Sequence, residues 1–381
     1  SQARLQEFLA ALQASPNGVV LLDPQGRIEW CNQTAAEQFG FDAQRDMMQA
    51  IGNLVRDPGF AAYPASRDYD QEILMPGRSS TPSRPVRLSV HLNPYGQGRK
   101  LLIARDVTAL EQAEAMRRDF VANVSHEIRT PLTVLTGFIE TLQTLALTGE
   151  ERSRYLGLMA QQAARMQTVV RDLLTLSRLE GSPLPGMSEW IAVDSLLSQC
   201  EQEARALSML VVGQNAAPQQ LHFGVSEPGE DMGEIAGTHH EILSAMSNLV
   251  SNAIRYTPAG GTVDVRWQWL PDGRAEFSVQ DSGPGIAPEH LPRLTERFYR
   301  VDRSRSRETG GTGLGLAIVK HVTQRHGSVL RIDSTPGVGS RFAITFPANR
   351  LRVPAGAMAV GMAVPLPGKP VAAAQPAAVS A

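Results

Sequence analysis

Cysteine is nearly absent from this chain: Cys31 and Cys200 are the only two among 381 residues, far apart and without a CxxC spacing. Neither a disulfide framework nor a cysteine zinc site is suggested, and a reducing compartment fits best. Also missing is any apolar run of the roughly 18 residues that a membrane-spanning helix needs. The chain begins at Ser1 rather than methionine, so an upstream segment, with room for an anchor, is an expectation. A large charge excess is lacking too. The formal net charge is −2 and charged residues are 19%, which gives no global basic surface of the kind that binds nucleic acid. What is present is 42% hydrophobic residues, enough for two or three domains that each bury a core.

The apolar pattern changes along the chain. Leu5, Phe8, Leu9 and Leu12 are spaced as a short lead-in helix over residues 1–14. "GVVLLDPQGRIEWCN" reads as two strands around a Pro-Gln-Gly turn, then "QTAAEQFG" as a helix, a polar irregular stretch, and the strands "PVRLSVHL" and "KLLIARDV". This predicts a small α+β domain over residues 15–106. Trp30 and Cys31 are expected in its core.

From Val107 the period becomes seven. Val121, Ile128, Leu135 and Leu142, with Val124, Pro131, Phe138 and Leu145 offset by three, form a heptad seam. A second seam runs through Met159, Met166 and Leu173 between Arg154 and Leu179, and Thr148, Gly149 and Glu150 separate the two. An antiparallel hairpin over residues 107–181 follows. One hairpin has too little core to stand alone, so two should pair as a homodimeric four-helix bundle.

"EGSPLPGM" marks a linker. Helix and strand signals then alternate over residues 182–350, including the strand "TVDVRWQWL", whose Val263, Val265, Trp267 and Trp269 share one face. An α/β two-layer sandwich is expected there. From residue 351 the Ala/Pro/Gly-rich tail reads as disordered.

Within "FVANVSHEIRTPLTVLTGF", His126 falls on the side away from the seam if Val121 is an a position. Thr130 lies one turn further on the same exposed face, and Pro131 should bend the helix. A carboxylate such as Glu127 can hold one imidazole nitrogen protonated and leave the other lone pair free for attack. An isolated exposed histidine is more often merely solvated, so the chemistry requires an electrophile elsewhere in the chain.

The electrophile is supplied by "NLVSNAIRY". Asn248, Asn252, Arg255 and Tyr256 share a helix face opposite Ile242, Met246, Leu249 and Ala253. Two amide oxygens one turn apart suit a magnesium ion that bridges phosphates, Arg255 suits phosphate oxygens, and Tyr256 offers a plane to a base. "DSGPGI" sets the carboxylate of Asp281 beside Gly283 and Gly285. "GGTGLGL" places Gly311, Thr312, Gly313, Leu314 and Gly315 before a helix, where bare amides and a helix N-terminus favour phosphate. His239 and His240 lack the third ligand that a metal site would need.

These boxes, in this order, resemble the sensor histidine kinases of two-component systems over about Val107 to Pro347. "FVANVSHEIRTPLT" resembles their phosphoacceptor box, "NLVSNAIRYT" their asparagine box, "DSGPGI" and "GGTGLGL" their glycine boxes and "RFYR" their aromatic box; the N-terminal domain resembles a PAS sensor module. The stretches around His126 and "RFYR", including Leu294 and Thr295, resemble the phosphate-regulon subfamily more than generic members. The resemblance implies a gyrase/chaperone/histidine-kinase type ATP-binding fold. It makes His126 the phosphorylated nucleophile, Glu127 its base or orienter, and Thr130 the residue that positions water when a phosphorylated partner is dephosphorylated. It further implies ATP and Mg2+ held by Asn248 and Asn252, with Arg255 on the phosphates, Tyr256 and Asp281 at the adenine, and the second glycine loop at the triphosphate. Arg255 stands where many relatives have lysine: charge is kept, but point-charge flexibility is lost.

The implied partners are a second copy of the chain and a response regulator of the phosphate-regulon type. A phosphate-transporter-associated regulatory protein is a further implied partner, and a membrane is implied through an N-terminal segment outside this chain. Gyrase-like ATP hydrolysis is the main alternative. There a glutamate one turn before the magnesium asparagine serves as base, whereas Asn248 here cannot accept a proton from water. A histidine kinase of another pathway and a nucleotide-binding scaffold are the other readings.

Overall fold

Asn32 shows how the N-terminal part is tied together. Its side-chain oxygen accepts from the amides of Val19 and Ala35, and its amide nitrogen donates to the carbonyls of Leu12 and Asn17. One buried side chain therefore fastens helix α1 (Gln2–Gln13), strand β1 (Gly18–Leu22) and, as its N-cap, helix α2 (Gln33–Phe39). The computed structural model describes residues 2–42, 45–66, 69, 71–212, 216–225, 232–301 and 311–353. It divides into two compact units, 1–122 and 123–381, with the boundary inside one long helix.

In the first unit β1, β2 (Ile28–Cys31), β3 (Ile73–Pro76), β4 (Arg87–Tyr95) and β5 (Arg99–Asp106) form one antiparallel sheet in the order β2-β1-β5-β4-β3. The stretch expected to be irregular instead carries α3 (Ile51–Leu54), α4 (Pro58–Ser66) and β3. Ile51, Val55, Phe60, Tyr63 and Met75 bury themselves there, too widely spaced over short elements to give a periodic signal. The expectation for Trp30 also needs correcting. β2 is an edge strand, so Trp30 stays half-exposed, and Cys31 only partly packs against the core.

Helices α5 (Thr108–Thr144) and α6 (Gly149–Gly181) make the hairpin. Thr148 caps α6 through a reciprocal capping box with Glu151, so Gly149 and Glu150 are already helical and the turn is shorter than expected. Glu127 meets Arg165 and Phe138 meets Tyr155, and this opposite running of the contacts makes the hairpin antiparallel. α5 continues through Pro131 without a break. Of the seam, Ile128, Leu135, Phe138 and Leu142 are half-buried, while Val121 and Leu145 are exposed in the single chain.

The C-terminal layer is a five-stranded sheet of β7 (Gln220–Val225), β9 (Thr262–Trp269), β10 (Ala275–Asp281), β11 (Val329–Thr335) and β12 (Gly339–Phe346), in the order β11-β12-β10-β9-β7. Only the β7–β9 pairing is parallel. Helices α7 (Val193–Val212), α8 (His239–Tyr256) and α9 (Gly315–Arg325) pack with it around a core containing Val263, Val265, Trp267, Ile242, Met246 and Ile318. A small sheet joins β6 (Trp190–Ala192), β8 (Glu234–Ala236) and β13 (Leu351–Arg352). Leu351 and Arg352 thus pair with Ile235 and Glu234 and are not the start of a tail, and residues 354–381 lie outside the described residues.

The end of the hairpin belongs to this layer. Leu176 and Leu179 of α6 sit in its core. Arg325 donates to the carbonyls of Leu179, Ser182 and Pro183 while forming a buried pair with Glu241. Arg350 takes the carbonyls of Pro185, Gly186 and Ala236. Two guanidiniums therefore satisfy polar backbone groups of the linker. Among the described residues no helix is long and apolar enough to cross a membrane.

Candidate functional site

A cavity of about 410 Å3 opens between α8, the two glycine loops, the "RFYR" segment and α6. Asn248, Asn252, Arg255, Tyr256, Asp281, Gly285, Gly311, Thr312, Gly313 and Gly315 all line it. Of the residues expected to hold nucleotide, only Gly283 and Leu314 stand behind the wall. Leu314 is fully buried as the N-cap of α9, and Gly283 donates its amide to Asp281 at 2.8 Å.

The glycines are there for reasons of space. A Cβ on Gly315 would lie 2.6 Å from Oδ1 of Asn248, and one on Gly283 would lie 2.8 Å from the carbonyl oxygen of Tyr256. Gly313 has φ +73 and packs against the backbone of Phe298, which itself has φ 61. A left-handed phenylalanine is a strained conformation held by its surroundings, here by a bond from its amide to the Gly313 carbonyl at 2.8 Å. The aromatic box and the second glycine loop are locked to each other by that pair.

Asn248 donates through Nδ2 to the Ser244 carbonyl at 2.8 Å, which fixes the amide and turns its oxygen toward Gly315. Asn252 follows one helical turn later on the same wall. The set is composed of neutral oxygen donors, and no cluster of three His, Cys, Asp or Glu able to hold a metal exists among the described residues. Such donors fit a hard cation that keeps waters and bridges phosphates, and do not fit a transition metal.

α9 begins at Gly315 with no side chain of its N-cap residue bonded to its first turn, and Gly315 and Leu316 at its start line the cavity. Burial pulls the Arg255 guanidinium below its ordinary pKa, against the opposing influence of Tyr256 and Asp172, yet an arginine remains charged. Burial likewise raises the Asp281 carboxyl, opposed by amides of Gly283 and Ser340. The cavity wall thus combines a shielded carboxylate, the apolar Ile286, Leu316 and Phe342, the cations Arg255 and Arg300, and the second glycine loop.

His126, Glu127 and Thr130 lie on α5, outside the cavity lining. His126 is exposed, as its heptad position requires, and the Thr130 hydroxyl donates to the His126 carbonyl at 3.1 Å. Glu127 makes the connection to the cavity. It accepts from Arg165 of α6 at 3.2 Å and from Arg300 at 3.3 Å, and Arg300 both lines the cavity and bonds the Gly311 carbonyl.

Three contributors were not singled out from the sequence. Thr168 and Asp172, one turn apart on α6, form part of the wall, and the Thr312 hydroxyl donates to Asp172 at 2.6 Å. Arg165 is the third. Polar residues on a hairpin helix carry no signal that separates a solvated position from one facing another layer; only the extra apolar residues Val170 and Leu174 beside the seam in "QTVVRDLL" hint at a second contact.

Three family descriptions match the chain: "PAS domain" over residues 6–72, "His Kinase A (phospho-acceptor) domain" over 116–182, and "Histidine kinase-, DNA gyrase B-, and HSP90-like ATPase" over 237–350. The chain is 45% identical over 344 residues to the phosphate regulon sensor protein PhoR of Pseudomonas aeruginosa, covering 90% of this chain and 74% of that protein. It is 30% identical over 332 residues to PhoR of Haemophilus influenzae, covering 87% and 74%. To the sensor-like histidine kinase SenX3 of Mycobacterium tuberculosis it is 34% identical over 348 residues, covering 87% and 78%.

Proposed function

The chain belongs to the two-component sensor histidine kinases, closely related to the PhoR-type sensors, and from that premise we propose which residues carry out its chemistry. As a member it is an ATP-dependent protein-histidine kinase: it binds ATP, phosphorylates its own histidine and passes the phosphoryl group to a response regulator. Its phosphoacceptor region is also the dimerisation region.

In our reading His126 is the nucleophile. One ring nitrogen attacks the γ-phosphorus, the N–P bond forms as the P–O bond to ADP breaks, and Glu127 orients the imidazole and takes its proton. Arg255, the first turn of α9 and the amides of Gly311, Thr312, Gly313 and Gly315 hold the triphosphate, and Asp281, Gly283, Gly285 and Tyr256 hold the adenine end. Magnesium, when bound, would be held by Asn248 and Asn252 and would neutralise charge on the phosphates. Catalysis on this account is positioning and charge neutralisation.

The observation that carries the reading is the bond between Glu127 and Arg300. It ties the residue beside the exposed histidine to a side chain of the nucleotide cavity. For domain limits we propose 15–106 for the PAS module, 107–181 for the hairpin and 182–352 for the ATP-binding domain, its end moved from 350 to include β13. We take the regulator to be of the phosphate-regulon type and membrane attachment to lie outside these residues, both supported by likeness to PhoR proteins.

The test is incubation with γ-labelled ATP and magnesium beside His126→Ala and Asn252→Ala. Acid-labile label on the wild type that is lost in both variants is expected; label retained in His126→Ala would overturn the assignment. We also propose that Thr130 supports dephosphorylation of the regulator. Thr130→Ala should then lose that activity while keeping autophosphorylation, and an unchanged dephosphorylation rate would refute the role.

A further inference from the structure

Asp172 is the one carboxylate that the hairpin places in the wall of the nucleotide cavity. It lies on α6, one turn after Thr168, and accepts the Thr312 hydroxyl at 2.6 Å. That hydroxyl in turn accepts the amide of Leu314, the N-cap of α9, at 3.2 Å. Thr312 is buried, and Asp172 is close enough to Arg255 for each to be electrostatically felt by the other. A negative oxygen therefore sits where a loop hydroxyl, a guanidinium and a helix N-terminus converge. Those three groups are what a phosphate oxygen seeks.

We propose that Asp172 is an internal competitor of the triphosphate: the hairpin's carboxylate engages Thr312 among the phosphate-binding groups of the cavity, and ATP must displace it to bind. The inference rests on the nucleotide reading of the cavity given above. Burial raises the Asp172 carboxyl above its usual range, opposed by the Thr312 hydroxyl and by Arg171 and Arg255, so its seat is a costly one for a charge and easily lost to a better anion. Because Asp172 stands on α6, its displacement frees the Thr312 loop from the phosphotransfer hairpin. Binding of ATP and release of this contact are then one event, and the empty state lowers apparent affinity by the fraction of molecules in which the contact is closed.

The test uses equilibrium titrations of the full chain with Mg-ATP and, separately, with adenosine. Asp172→Asn keeps the shape and an acceptor for Thr312 but removes the charge; Asp172→Ala removes both. The expected result is that both variants bind Mg-ATP about tenfold more tightly than the wild type, with adenosine affinity unchanged. The unchanged adenosine affinity also reports an intact fold. Wild-type Mg-ATP binding with no gain, or a loss, in Asp172→Asn overturns the competitor role alone, a loss marking Asp172 as a group that attracts the metal-bound nucleotide. Absence of both Mg-ATP and adenosine binding in the wild type overturns the cavity reading together with it.

Discussion

Arg300 reaches from the "RFYR" segment to Glu127 on the phosphoacceptor helix, 3.3 Å away, with only 7% of its side chain exposed. The carboxylate beside His126 is shared between this arginine and Arg165 of α6, at 3.2 Å. One of the two partners lines the cavity and the other does not, so they should separate in a kinetic experiment.

Arg165→Met removes a bond to Glu127 without touching the cavity. Autophosphorylation should fall by about tenfold or more, since a misplaced base loses much of its effect, while Mg-ATP affinity stays as in the wild type. Arg300→Met should lower both. The measurements are single-turnover labelling at saturating ATP and a nucleotide titration; equal loss of affinity in the two variants would contradict the division of roles.

Gly315→Ala tests the packing of Asn248. The added methyl meets Oδ1 of Asn248 at 2.6 Å, with Cγ at 3.4 Å behind it, and the amide is already held by its bond to Ser244. The side chain must leave its place, so Mg-ATP affinity should drop by about tenfold or more with little change in the urea midpoint. An alanine variant that binds Mg-ATP normally would show that Asn248 is not needed in this position.

The heptad around His126 and the ordered boxes were legible because each rests on a local rule: a helical period, a helix face, or a glycine where a Cβ would collide. The hidden parts depend on which surfaces meet. Asp172 and Arg165 are ordinary polar helix residues until α6 is laid against the glycine loop and Glu127. The prolines and glycines of "EGSPLPGM" mark a linker, and nothing local reveals that Arg325 and Arg350 hold its carbonyls. The short elements between Phe41 and Pro76 were missed because buried residues such as Ile51, Val55, Phe60, Tyr63 and Met75, scattered over two short helices and a strand, leave no period to count.

Arg325 gives a stability prediction. It and Glu241 are 9% and 6% exposed in their side chains and lie 3.0 Å apart. Removing one member of such a pair leaves a buried charge and costs about 3–5 kcal/mol, to which the loss of its bonds to the carbonyls of Leu179, Ser182 and Pro183 adds. Arg325→Met should therefore lower the urea midpoint of the C-terminal unit sharply. The double variant Arg325→Met with Glu241→Met should recover part of the loss, because no charge is then stranded. A double variant no more stable than the single one would mean that the linker contacts, and not the ion pair, dominate.

His326 predicts how that stability depends on pH. The ring is fully buried, donates from Nδ1 to the Val322 carbonyl at 2.9 Å and accepts the Thr238 amide at Nε2 at 3.4 Å. A neutral imidazole satisfies both bonds, whereas a second ring proton would face the Thr238 N–H. Burial lowers its pKa from the ordinary 6.5; the Val322 carbonyl and Glu241 oppose this, and Arg350 and Arg325 reinforce it. Below pH 6.5 the unfolded chain therefore takes up a proton that the folded chain refuses. The contribution is complete above the unfolded value and is lost as the pH falls from there toward the folded one, with a slope of up to about 1.4 kcal/mol per pH unit. His321 shifts in the same direction, lowered by burial and by Arg297 against Glu180, while the raised carboxyls of Asp172 and Asp281 act in the opposite sense. Comparison with His326→Gln isolates the buried ring. Urea midpoints measured across the range just below pH 6.5 should decline more steeply for the wild type than for the variant, and parallel curves would show that His326 does not titrate with unfolding.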